Sequence, residues 1–309
     1  MKIKLYKYTP YIKDFIENPM LRVTRAKDLN DPFELNPSEE LLDFVIQSKK
    51  PSTEVMKLLM DKRSFFEYAT TWGKGVISLS ECKDNLLMWS HYSKEHQGGV
   101  IEFSFEIEHA PHSRTPVQRG FFKELYDNNY QYGIVKYRKN RTIDTSLLDG
   151  RGYELTNQII DSLAFIKSND WMYEEEHRFL VDTKHCDVTL VDPTVQNLKE
   201  LDRLGLPKVL INKKLVIPPD HKIQNPNDFM PGLDGFSNRD NYMQFASIAE
   251  GCVTGIYLGA KMPQPEIDAI LHSSSGFSKF TNLNGNVYKA KIHPHSYDLN
   301  FERIENSCV

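Results

Sequence analysis

Lys2 to Tyr8 alternates basic and apolar residues, as a half-buried strand does. Pro10 can open a helix reaching about Glu17, and Asn18-Pro19 stops it. Leu21 to Thr24 reads as a second short strand, followed by the turn-rich Asn30-Asp31-Pro32-Phe33-Glu34. Ser38 to Gln47 and Ser52 to Tyr68 carry apolar residues at three- and four-residue spacing behind a serine placed to cap, so both are predicted helical. Val76 to Ser80 is a predicted strand. Asn85 to His96 is a helix containing Leu86, Leu87, Trp89 and Tyr92, and Gly98 to Phe105 is a further strand. Glu106 to Phe121 is polar and reads as a loop, Gly133 to Arg138 as a strand, and Glu154 to Ile166 as a helix.

The run Trp171 to Val181 ends in β-favouring apolar residues and reads as one strand, with Val188 to Val191 placed to pair with it. Alternation would put Glu174, Glu176 and Arg178 on one face and Tyr173, Glu175, His177 and Phe179 on the other. The two carboxylates would then stand about 6.8 Å apart, from a rise of roughly 3.4 Å per residue. Neighbouring carboxylates push one pKa up and an adjacent arginine pulls it down. Such a row is either a solvated face whose charges pair weakly or a site.

Leu206 to Phe245 holds Pro218-Pro219, Asn225-Pro226 and Pro231-Gly232, all turn chemistry, and is predicted as a long loop-rich insertion. Val253 to Leu258 reads as a strand, Gln264 to Leu271 as a helix, and Asn286 to Ile292 as the closing strand. Strands and helices mix without strict βαβ alternation, which favours α+β over a doubly wound sheet. We expect one α+β domain over residues 1–309, with its core in 1–195 and 250–295 and the insertion at about 206–245.

Composition adds limits. The 309 residues are 40% apolar and 26% charged, ordinary for a globular protein. A net charge of −4 and a pI near 6.2 argue against general electrostatic capture of nucleic acid. Lys136, Arg138, Lys139 and Arg141 around Tyr137 form the best basic cluster, either a solvated strand end or a phosphate-facing patch. Cys82, Cys186, Cys252 and Cys308 form no C-x-x-C pair, which suggests reduced thiols. The N-terminus has no apolar signal region, and no apolar run reaches the roughly 18 residues needed to span a bilayer. A cytoplasmic location without membrane association is expected. There is no G-x-G-x-x-G, no phosphate-binding G-x-x-x-x-G-K-[ST], no G-x-S-x-G and no H-E-x-x-H. His91 and His96 lie five apart and would not share a helix face, while His185 and Cys186 would point to opposite faces of a strand. No metal is expected.

Leu5-Tyr6-Lys7-Tyr8, Asn30-Asp31-Pro32-Phe33-Glu34 and Ser78-Leu79-Ser80-Glu81 occur in order. Met88-Trp89-Ser90-His91-Tyr92, His96-Gln97-Gly98 and Trp171 with Tyr173 to Arg178 follow. The series resembles a widespread bacterial family, the domain of unknown function twenty-nine seventy-one, over most of residues 1 to 260. The family carries no settled activity. A weaker resemblance is to ADP-ribosyltransferases: a strand with a basic residue, one with Ser-x-Ser, and one with Glu-x-Glu. It implies an ADP-ribosyltransferase-like split-sheet core with flanking helices, and NAD as the substrate.

Carried over, Lys7 takes the first position, where His or Arg is usual; it keeps the charge without the planar fork. Tyr6, Tyr8 and Thr9 could share its work. Ser78 or Ser80 takes the second position and supports the nicotinamide pocket. Glu176 takes the third, as the catalytic carboxylate, with Glu174 positioning the acceptor. Arg178 could bind pyrophosphate or hold the carboxylates, and Trp89, Tyr92 or Trp171 could stack on a base. Asn30, Asp31 and Glu34 form a turn near the site. The chemistry suits the residues, because breaking the nicotinamide–ribose bond develops positive charge that a fixed carboxylate stabilises. The acceptor, whether protein, nucleic acid or water, stays open, and many relatives of that superfamily serve as toxins or in phage defence. The alternatives are a metal-dependent nuclease using Glu174, Glu176 and Asp31, and a non-catalytic nucleotide sensor in which the 206–245 segment moves.

Overall fold

A computed structural model describes residues 1–49, 74–108, 117–125, 129–150, 153–203, 205, 208–211, 214–217, 243–272 and 277–304. The opening alternation forms β1 (Lys2–Thr9), then α1 (Ile12–Glu17), β2 (Met20–Arg25), α2 (Glu39–Lys49) and β3 (Lys74–Ser80). Next come α3 (Leu86–Tyr92), β4 (Gly99–Glu108), β5 (Val117–Arg119), β6 (Tyr130–Ile134) and β7 (Lys136–Arg138). The middle of the chain supplies α4 (Tyr153–Leu163), β8 (Ile166–Ser168), β9 (Glu176–Asp182), β10 (Val188–Val191) and α5 (Val195–Arg203). The last elements are β11 (Val209–Ile211), β12 (Lys214–Ile217), β13 (Met243–Ser247), β14 (Val253–Leu258), α6 (Gln264–His272), β15 (Val287–Ile292) and β16 (Leu299–Arg303). The architecture is α+β: fourteen strands join in one mixed sheet, and β7 and β8 form a parallel pair beside it.

β3 is the branch point of that sheet. One edge pairs with β9 along its length, from Lys74 opposite Asp182 to Ser80 opposite Glu176. The other edge is shared. β2 takes Gly75 and Val76, and β1 takes Ser80 through Tyr6. Between those contacts β1 and β2 diverge, because β1 continues onto β4 and β2 continues onto β13. The Ser78 carbonyl in the gap is satisfied by the Lys7 ammonium at 2.9 Å instead of by a ladder bond. Buried backbone acceptors need such a partner.

Hydrophobic layers pack on both faces of β9. Phe179 of β9 is fully buried among Phe105, Phe121, Phe122, Tyr130 and Tyr132. Aromatic pairs of this kind add about 0.5–1.5 kcal/mol each beyond their buried area. On the opposite face, Leu155, Ile159 and Leu163 recur at four-residue spacing on α4 and pack in one cluster with Val76 and Leu180.

Several boundaries differ from the sequence reading. The predicted 85–96 helix ends at Tyr92, with Asn85 as its cap accepting the Leu87 and Met88 N–H groups. Lys94, Glu95 and His96 all take positive φ, so the chain leaves the helix through a left-handed turn. Gly259 passes close to that turn, where an added Cβ would lie 2.1 Å from the His96 carbonyl oxygen. The 133–138 segment divides at Val135, its first half pairing with β9 and its second with β8. The 106–121 loop contains β5, and β10 pairs with β12 and β13 rather than with β9. Parts of the predicted insertion form β11, β12 and the start of β13, and β16 follows the strand expected to close the chain. His185 ends a 3-10 turn rather than sitting on a strand. The Ser52–Tyr68 helix and residues 218–242 of the insertion lie outside the described residues. Cys82, Cys186 and Cys252 are free thiols. No described helix is long and apolar enough to cross a membrane.

Candidate functional site

The acidic run is not one strand. Asn169–Glu174 is a 3-10 helix capped by Ser168, and β9 starts only at Glu176. Glu175 sits between them at φ 44°, a left-handed conformation costing a non-glycine residue roughly 1–2 kcal/mol. This hinge, rather than strand alternation, turns Glu174 and Glu176 toward one point. That point is the Lys167 ammonium, 2.5 Å from Glu174 and 3.3 Å from Glu176. Neither face of β9 is solvated. His177 faces away from the cluster, hydrogen-bonded to Tyr132 and, at 2.6 Å, to Glu81.

Glu34 completes the group, 3.1 Å from Lys167 and also paired with Arg178. Arg178 grips Glu176 with two parallel bonds, Nε to Oε1 at 2.6 Å and Nη2 to Oε2 at 2.8 Å. Its Nη1 donates to the Ala164 carbonyl at the end of α4 at 2.8 Å. No side chain of these five is more than 4% exposed, so this is a buried charge network and not a surface row. Removing one partner from such a network costs about 3–5 kcal/mol, because it strands a buried charge.

The network separates the two carboxylates in proton affinity. Burial pushes Glu176 up, but Arg178, Lys167 and the Ser78 hydroxyl outweigh it and hold the group at about 2. Burial raises Glu174, and the neighbouring Glu176 adds to the rise against the pull of Lys167. Burial also opposes the charge on Lys167, yet its three carboxylates raise its proton affinity overall. Tyr92 donates to Glu174 at 2.6 Å and accepts from Asn30 at 2.9 Å, tying the Asn30–Glu34 turn to the acidic segment. From beneath, the Tyr137 hydroxyl accepts the Glu176 backbone N–H at 2.8 Å.

A cavity of about 240 Å³ opens over this network at the split in the sheet. Lys7 and Tyr8 of β1, Ser78 and Ser80 of β3, and Tyr92 of α3 line it. Tyr6, Glu174, Glu176, Arg178, Asn30 and Glu34 complete the set of predicted residues brought together there. Lys7 is half-buried, with its ammonium donating to the Ser78 carbonyl. Burial lowers its pKa from 10.5 to about 8, and Glu176 and Glu174 offset only part of that effect.

Four predicted residues do not line this cavity: Thr9, Trp89, Asp31 and Trp171. The Thr9 hydroxyl accepts the Tyr11 N–H at 3.0 Å. Trp89 is fully buried, packs edge-on to Tyr8 and donates to the Lys83 carbonyl at 2.8 Å, so it is core and not a stacking platform. Asp31 caps the Phe33 N–H and lines a neighbouring cleft with Phe33, Trp171 and Tyr173. It therefore stands apart from Glu174 and Glu176, with which the nuclease alternative grouped it. The point where three carboxylates do converge is filled by Lys167. Among the described residues, no group of three His, Cys, Asp or Glu is arranged to hold a metal ion.

The sequence does not point to Lys167, and it offers Tyr137 only as part of a basic cluster, not as a partner of Glu176. A signal existed for Tyr137, because Lys136 and Arg138 on either side are exposed and strand alternation turns the tyrosine inward. Lys167 sits on a three-residue strand, too short to show a period.

A family model described as a protein of unknown function (DUF2971) matches residues 88–179. That span includes Tyr92, Lys167, Glu174, Glu176 and Arg178, and it supports the resemblance to that family. No curated protein and no solved structure matches the chain.

Proposed function

We propose that this chain binds NAD with the nicotinamide ribose in the cavity at the sheet split and breaks the nicotinamide–ribose bond, passing ADP-ribose to an acceptor or to water. The observation that carries this reading is that Lys7, Ser78 and Glu176, on three strands far apart in sequence, line one cavity. Its volume of about 240 Å³ is below the roughly 300–1,000 Å³ of whole-ligand pockets, which suits one end of a dinucleotide.

In this reading Glu176 is the fixed anion. Its low proton affinity keeps it charged across the physiological range, and the Arg178 fork holds it still. Positive charge developing on the ribose would meet a carboxylate that needs no reorganisation. Glu174, with its raised proton affinity, is the better group to accept the acceptor's proton. The donors of Arg178 are directed to Glu176, Glu34 and a backbone carbonyl, so it acts here as a positioning residue rather than a phosphate ligand.

The test is nicotinamide release from NAD by the wild-type chain and by Glu176→Gln and Glu174→Gln, with cooperative unfolding of each variant as the folding control. We expect release by the wild type, none by E176Q, and slowed release by E174Q. Unchanged turnover in E176Q, or no NAD binding by the wild type in equilibrium dialysis, overturns the reading.

A further inference from the structure

Among the cations around the cavity, Lys7 is the odd one. Lys167 faces three carboxylates and Arg178 two. The Lys7 ammonium has a single hydrogen bond, to the Ser78 carbonyl at 2.9 Å, and makes no ion pair among the described residues. Loss of its proton therefore breaks no salt bridge and frees a lone pair at the cavity wall. A half-buried lysine that lines a cavity with no carboxylate in direct contact is a nucleophile in waiting, since desolvation disfavours its charged form. The pKa near 8 agrees with that geometry.

We infer that Lys7 is a covalent attachment point for an aldehyde, specifically a polyhydroxylated one of pentose size in its open-chain form. Size follows from the cavity of about 240 Å³, and polarity from walls carrying Ser78, Tyr92, Asn30 and Glu174. In the step, the neutral Nζ attacks the carbonyl carbon, the nitrogen gives up one of its protons and the carbonyl oxygen takes one up. The carbinolamine then takes a second proton on its hydroxyl, loses water and becomes a protonated imine, so one amine, one aldehyde and one net proton give one iminium and one water. The net proton comes from water, and the Tyr92 hydroxyl on the same cavity wall is placed to relay it. No oxidant or reductant takes part. The inference does not rest on NAD cleavage, because it concerns only the amine and the space beside it.

The test uses the full chain with ribose 5-phosphate and sodium cyanoborohydride, which reduces the imine to a stable amine, followed by peptide mapping by mass spectrometry. The expected result is an adduct on Lys7 forming at least tenfold faster than on the other lysines, with a rate that rises with pH and levels off above about 8. Lys7→Arg keeps the charge and should lose the fast adduct. Labelling of wild-type Lys7 no faster than of exposed lysines overturns the inference, whether or not K7R folds. Nicotinamide release measured on the same preparation separates this outcome from that of the NAD reading.

Discussion

Lys167→Met tests the network most directly. The substitution keeps the aliphatic stem and removes one ammonium from three carboxylates at 2.5, 3.1 and 3.3 Å. Three buried anions would then face only Arg178. Removing one partner from a buried ion pair costs about 3–5 kcal/mol. At about 2–4 °C per kcal/mol for a domain of somewhat smaller size, the melting temperature should fall by the order of 10 °C. The easiest relief is a proton on Glu174, whose affinity burial already raises. A carboxyl raised in the folded state contributes stability at low pH and loses it as pH rises through its folded pKa. K167M should therefore recover part of its loss between pH 7 and pH 5. Adding Glu174→Gln removes the stranded charge and should recover at least half of the loss at pH 7. Urea unfolding of the wild type, both single variants and the double variant gives the coupling energy. A K167M cost below about 1 kcal/mol, or costs of K167M and E174Q that merely add, refutes the reasoning.

Two further outcomes follow from the same geometry. Lys7 has a folded pKa of about 8 against 10.5 for an ordinary lysine, so the unfolded chain binds more protons between those values and stability should rise with pH across that window. The wild-type minus Lys7→Met difference in urea midpoint should grow from pH 8 to pH 10.5, and a flat or opposite trend contradicts the assignment. Tyr137→Phe leaves the buried Glu176 N–H without its acceptor, which costs about 1–3 kcal/mol and should speed hydrogen exchange at that amide; wild-type stability and exchange would exclude the role given to Tyr137.

Local pattern carried much of the architecture. β1, β2, β3, β4 and β14 lie where alternation and apolar runs place them, because strand period is a property of neighbouring residues. Ser38 caps α2 through its hydroxyl as its position behind the apolar spacing implied. Errors came where non-local pairing decided. Nothing local tells that Val135 is the point where one strand leaves β9 for β8, or that Glu175 turns left-handed just before β9.

The candidate site divides the same way. Residue types and their order along the chain singled out Lys7, Ser78, Glu174, Glu176 and Arg178 as chemically unusual. Which of them meet was a tertiary matter. β1 and β2 part over the edge of β3 and leave a gap, and the Asn30–Glu34 turn delivers Glu34 to Arg178 across the chain. Lys167, indistinguishable in sequence from a surface lysine, becomes the centre of the network because α4 and β8 bring it beneath β9. Proton affinities followed from that placement and not from composition: burial raises both Glu174 and Glu176, but the Arg178 fork and Lys167 overturn it at Glu176, while at Glu174 the neighbouring carboxylate adds to it. Charge and spacing along the chain determined the candidates, while burial and long-range pairing, which act through space, decided what each can do.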